Sequence, residues 1–108
     1  MQSALPTPYY AVIFTSIRTQ NNEGYGKMAD HMEELAAKQP GFLGIESFSN
    51  AEGLRVSISY WKEEAHLQAW KRVMAHQEAQ RLGKEKWYEW YRVEVCKVER
   101  TYTWENEE

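Results

Sequence analysis

Residues 9–18 read Tyr-Tyr-Ala-Val-Ile-Phe-Thr-Ser-Ile-Arg, a run of aromatic and β-branched types that suits a pleated surface and predicts a first strand. The period then changes. Tyr25, Met28, Ala29, Met32, Leu35 and Ala36 recur at three- and four-residue steps, the spacing of one face of a helix of roughly four turns. Asn21 and Asn22 ahead of it offer turn and cap chemistry, and Pro40-Gly41 ends it, because proline lacks the amide that a helix needs. Phe42 to Phe48 predicts a second strand and Leu54 to Tyr60 a third, joined as a hairpin by the turn residues Asn50-Ala51-Glu52-Gly53. From Lys62 the positions of Leu67, Trp70, Val73 and Met74 restore the helical period, out to about Leu82-Gly83.

The last segment, Val93 to Trp104, alternates at Val93 and Val95 and then changes phase, since Val98, Tyr102 and Trp104 continue in another register. A β-bulge near Cys96 and Lys97 is the expected cause. The order βαββαβ predicts an α+β, ferredoxin-like fold: a four-stranded antiparallel sheet with both helices on one face. At 108 residues the chain makes one domain, with a core of about 9–104 and flexible ends at 1–8 and 105–108. The sheet's other face is left bare, and its aromatic and apolar side chains make too large a patch for a stable monomer.

Charge and cysteine content narrow the function. A net charge of −3 leaves no clustered Lys and Arg for phosphates, which argues against nucleic acid. Cys96 is the single cysteine, so no internal disulfide forms and an intracellular, cytoplasmic protein is expected. Met1 to Pro8 lacks the basic start and apolar run of a signal peptide. No stretch approaches the ~18 apolar residues of a membrane span.

Several motifs have competing readings. Gly24-Tyr25-Gly26-Lys27-Met28-Ala29 matches a dinucleotide fingerprint in spacing, but the chain is too short for a doubly wound sheet, and a helix-entry loop accounts for it. His31, His66 and His76 have no zinc-type spacing, so no metal site is expected. His31 and His66 sit among polar neighbours and read as solvated. His76, six residues beyond Trp70, is open to helix-end capping or to acid/base work. Trp61 and Trp70 either fill the core or wall a pocket where an indole stacks on a flat ligand. The run Trp87-Tyr88-Glu89-Trp90-Tyr91 reads as packing over a pocket mouth or subunit seam, and Cys96 has no adjacent base to make it a nucleophile.

Three stretches carry a family resemblance: Gln39-Pro40-Gly41-Phe42-Leu43-Gly44, the strand-to-helix run from Val56 to Lys71, and Ala75-His76-Gln77. With them the chain resembles the antibiotic biosynthesis monooxygenase domain family, from Tyr9 to Trp104. The resemblance implies a homodimer paired sheet to sheet into an α+β barrel, with the end of the last strand crossing onto its partner. It also implies a cofactor-independent monooxygenase acting with O2 on a small planar aromatic compound such as a phenol or quinol. The substrate-binding candidates are Trp61, Trp70, Phe14 and Ser57, and the catalytic candidates are His76 and Arg81, the latter near an arginine that holds the substrate's oxyanion. The chain departs from the phenol-oxidising branch at Ser57, where that branch has asparagine, and at Leu67, where it has tyrosine. Heme degradation is the alternative: Trp70 matches the tryptophan that presses on the porphyrin, yet Gln80 stands at the iron ligand's position and Thr15 and Ser16 replace a first-strand asparagine. A non-catalytic dimer that binds a small aromatic molecule is the third reading.

Overall fold

A computed structural model describes residues 5–20, 25–81 and 88–106, without the side chains of residues 25 and 75–81. Its elements are β1 (Tyr9–Arg18), α1 (Tyr25–Ala37), β2 (Phe42–Ser49), β3 (Leu54–Trp61), α2 (Glu64–Arg81) and β4 (Tyr88–Val98). The strands form one antiparallel sheet in the order β2-β3-β1-β4, the ferredoxin-like arrangement expected from the βαββαβ pattern.

Strand register decides which side chains meet. Tyr10 pairs with Trp61, Val12 with Ser59, Phe14 with Ser57 and Ser16 with Arg55 across β1 and β3. Because side chains alternate, this set shares one face. Val12 and Trp61 join Ala36 of α1 with Leu67 and Trp70 of α2 in the buried core, so this is the face the helices cover. The odd-numbered residues of β1, together with Leu54, Val56, Ile58 and Tyr60 of β3, lie on the open face.

The hairpin turn follows the sequence closely. Asn50 Oδ1 accepts hydrogen bonds from the amides of Glu52 at 3.0 Å and Leu54 at 3.1 Å, an Asx-type turn. Gly53 completes it at φ 96°, a left-handed conformation that side chains resist.

Three expectations change. The last strand begins at Tyr88, not Val93, and ends at Val98, so Tyr102 and Trp104 are not in the sheet. No bulge occurs at Cys96 and Lys97: pairing with β1 runs unbroken from Tyr9↔Val98 to Ile17↔Trp90, and the register shifts only between Ile17 and Arg18, where Glu89 is the extra residue. Val93 and Val95 lie on the helix side of β4 and Val98 on the open side, so the phase change in the sequence is a change of face where the strand ends. The second helix starts at Glu64, two residues later than expected; Asn21, Asn22, Gly24, Leu82 and Gly83 lie outside the described residues. A second shift falls between Phe42 and Gly44, where Leu43 is extra in β2.

His66 is a further correction: it is half-buried, not solvated. Its imidazole sits on Gly41, and its Nδ1 is buried without a hydrogen-bond partner. Gly41 has φ 78° and accepts a 2.8 Å hydrogen bond from the Lys62 amide, so the end of α1 is tied to the start of α2 at this point. A Cβ at position 41 would be driven into the His66 ring. Gly41→Ala is therefore expected to cost about 2–3 kcal/mol in urea unfolding, from steric conflict and positive φ together. Adding His66→Ala should recover roughly half, the part due to the ring. An unchanged loss in the double variant would place the whole cost in the backbone.

Candidate functional site

The helix-covered face divides along the strands into two ends of different chemistry. At one end Trp61 and Trp70 are 0% and 3% exposed and stack with centroids 5.7 Å apart and planes at 27°. Phe42 meets Trp61 edge-on at 5.6 Å, and Val12, Leu67 and Ala36 close the shell. The Trp61 indole N–H donates to Ser59 Oγ at 2.9 Å, so its polar atom is satisfied inside the protein. This end is a sealed core, with no open surface for a ligand at either indole.

The other end is polar and aromatic. Phe14 stacks on Tyr91 at 5.3 Å and 17°, and meets Tyr88 edge-on at 5.6 Å. Tyr88 in turn packs against Met28 of α1. Beside this wall Ser47 Oγ and Ser57 Oγ share a 3.1 Å hydrogen bond, both only partly buried. One step further along, Arg55 is paired with Glu33 of α1 at 3.3 Å. Ser16, between Arg55 and Tyr91 in the register, is fully buried, and its hydroxyl has no partner.

Of the candidates drawn from sequence, Phe14 and Ser57 are cross-strand neighbours at the polar-aromatic end. Trp61 and Trp70 stand at the sealed end, four residues away along the strand, or about 13 Å. His76 and Arg81 belong to the last turns of α2, but their side chains, like that of Gln80, lie outside the described residues. Among the described residues no group of three His, Cys, Asp or Glu is placed to hold a metal. Of the positions that bear on heme, His66 is seated on Gly41 beyond the sealed end and Ser16 is buried, while the side chains of His76 and Gln80 lie outside the described residues.

Ser47 was not legible as a site residue, and Tyr88 and Tyr91 were legible only as part of a run packing over a pocket mouth or subunit seam. Tyr88 and Tyr91 fall before the expected start of the last strand, and Ser47 is an unremarkable serine until the register sets it against Ser57. The i, i+3 pair Tyr88 and Tyr91 share a face only because Glu89 is extra, a displacement with no sequence signature.

The open face carries its own polar contact. Tyr60 donates its phenolic O–H to Glu46 Oε2 at 2.9 Å, and Tyr9 meets Tyr60 edge-on at 5.9 Å. Burial, then the hydrogen bond to Glu46, pushes the Tyr60 pKa up to about 12. The folded state thus keeps this proton where the unfolded chain, near 10, gives it up. Tyr60 should contribute stability that is complete below pH 10 and declines as the pH rises towards 12. In urea titrations at pH 8 and pH 11, wild type should lose more stability than Tyr60→Phe; equal losses would mean that Tyr60 titrates normally.

Similarity to known proteins follows the same outline. Residues 8–82 match the model of the family described as antibiotic biosynthesis monooxygenase. The uncharacterised protein YqjZ of Bacillus subtilis (strain 168) is 47% identical over 93 residues, covering 86% of this chain and 82% of its own. Among solved structures, SnoaB, a cofactor-independent oxygenase from Streptomyces nogalater, superposes with a TM-score of 0.70 at 12% identity, over 88% of this chain and 97% of that one. PA3566 from Pseudomonas aeruginosa gives 0.67 at 15% identity, over 89% and 97%. The structural likenesses, at such low identity, bear on the fold; the matched residues 8–82 take in both ends of the helix-covered face except its β4 edge. On that match and the YqjZ identity, the chain belongs to the antibiotic biosynthesis monooxygenase family.

Proposed function

We propose that this protein is a homodimeric, cofactor-independent monooxygenase that oxidises a small planar phenol or quinol with O2, bound at the polar-aromatic end of the helix-covered face. The observation that carries the reading is the pairing of the Phe14, Tyr88 and Tyr91 wall with the Ser47 and Ser57 hydroxyls on one surface. A flat ring stacks on the first, and its oxygen substituents hydrogen-bond to the second. Trp61 and Trp70 brace the sealed far end of the same face rather than line the site; Arg81, near the family's oxyanion-holding arginine, and His76, from its place late in α2, are the polar handles.

The chemistry needs no external reductant. A phenolate held away from water gives one electron to O2, and the radical and superoxide combine to form a C–O bond at the ring carbon para to the phenolate. That carbon's C–H bond and the O–O bond then break, leaving a quinone; the second oxygen atom departs as water with the two hydrogens. The substrate supplies every electron. The protein's part is to exclude water, hold the ring flat and stabilise the oxyanion with fixed donors.

The neighbour SnoaB, a cofactor-independent oxygenase, supports a reaction of this kind. The open face supports the dimer. Phe48 and Trp90 on it are 59% and 44% exposed, and Ile13, Ile17 and Val56 share that surface in the register.

Purified protein with 1-naphthol in air and excess chelator should consume one O2 per naphthol, read with an oxygen electrode, and form naphthoquinone. Phe14→Ala should lower kcat/KM by roughly ten-fold or more, since it removes the stacking surface. Fluorescence quenching by naphthol without O2 uptake would instead mark a non-catalytic binder. Light scattering at micromolar concentration should give twice 12.8 kDa. A monomer would remove the sheet-to-sheet reading.

A further inference from the structure

Two features of the polar-aromatic end play no part in holding a phenol at the serines. The first is Ser16, which is 0% exposed and whose hydroxyl has no hydrogen-bond partner. An enclosed hydroxyl of this kind destabilises the fold, and alanine would fill the position without that penalty. The second is Arg55, which faces Ser16 across β1 and β3. Its Nη2 donates to Glu33 Oε2 at 3.3 Å, longer than the about 2.7–2.9 Å of a close charge-assisted bond. The side chains of the pair are 20% and 42% exposed, so Glu33 stands at the boundary with solvent and the pair contributes little to stability.

The register joins these features to the site. Phe14 pairs with Ser57 and Ser16 with Arg55, two residues further on the same face, or about 7 Å along the strands. A flat ring stacked on Phe14 with its hydroxyl at Ser57 therefore has a buried hydroxyl donor and a guanidinium beyond one of its edges. The planar fork of guanidinium N–H groups matches the two oxygens of a carboxylate.

Resting on the site proposed above, we infer that Arg55 and Ser16 bind a carboxylate of the substrate, which makes the substrate class hydroxylated aromatic acids, and that Glu33 stands in for that carboxylate in the empty protein. On binding, Glu33 turns out to solvent and the ligand's carboxylate takes its place on Arg55. The Ser16 O–H then donates to the same carboxylate and gains the partner that the empty protein denies it. Exchange of one carboxylate for another leaves Arg55 paired throughout, so no charge is stranded. A neutral phenol leaves Glu33 where it is.

Calorimetric titration of the full chain under nitrogen, with 5-hydroxy-2-naphthoate and with 1-naphthol, reads binding apart from turnover. The acid should bind roughly ten-fold more tightly, and Arg55→Met should bring the two ligands within about two-fold of each other. Glu33→Gln removes the competing carboxylate and should raise the affinity for the acid about five-fold relative to naphthol. If Glu33 serves only to tie α1 to the sheet, that ratio stays the same or falls. Ser16→Ala should weaken the acid about five-fold relative to naphthol while the urea midpoint holds or rises, a combination that a purely structural serine does not give. Equal affinity of the wild type for both ligands, or a preference for the acid that survives Arg55→Met, overturns the carboxylate subsite. Oxygen uptake in air separates this from the reaction. Preferential binding of the acid without uptake keeps the subsite and removes the oxygenase; uptake with naphthol and no preference for the acid does the reverse.

Discussion

The stack of Trp61 on Trp70 is the contact on which the rest of the structure depends. One ring ends β3 and the other lies two turns into α2, so the stack fixes the angle at which the chain leaves the sheet. It also fills the space between sheet and helices that the small residues Ser59 and Ala36 leave on either side. Two buried indoles provide more contact area than any other pair a chain of this size could place there. Because both are sealed and the one described hydrogen bond of Trp61 is internal, they support the site as structure. The second tie between the helices, His66 on Gly41, lies beside them and braces the same corner.

That rigid corner leaves the other end of the helix-covered face free to differ. Serines on β2 and β3 are too short to fill the layer, and the aromatic side chains of β1 and β4 stand opposite them. The result is a surface with a flat apolar wall and adjacent hydroxyls. The Arg55 and Glu33 pair bounds it and joins α1 to the sheet. A buried hydroxyl without a partner, at Ser16, costs on the order of 1–3 kcal/mol, which the folded chain tolerates at this end and nowhere else on β1.

The two faces of the sheet follow different rules. The helix-covered face is specified by large-to-small complementarity, as at Trp61 and Ser59. The open face is specified by cross-strand pairs such as Tyr9 with Tyr60 and by the Tyr60 hydrogen bond to Glu46. A polar contact of that kind, flanked by Ile58, Val56 and Phe48, suits a surface that is covered by a similar surface.

Sequence alone determined the element order, the hairpin turn at Asn50 to Gly53 and both helices, because these depend on local period and turn chemistry; it left Trp61 and Trp70 open between core and pocket wall, and the structure buries both. Phe14 and Ser57 came forward through family resemblance as separate candidates, and the register makes them cross-strand neighbours. The sequence misplaced the last strand, since β4 is an edge whose Val93 and Val95, on the helix side, stay 37% and 44% exposed while Val98 turns to the open side, so its sequence lacks the single apolar face that burial imposes. Only tertiary structure decided that Trp61 and Phe14 stand at opposite ends of one face, that Tyr88 and Tyr91 join Phe14, and that His66 rests on Gly41. Each of those is a matter of register or of contact between distant segments, and a one-residue shift such as that at Glu89 changes the face of everything before it without leaving a mark in the sequence.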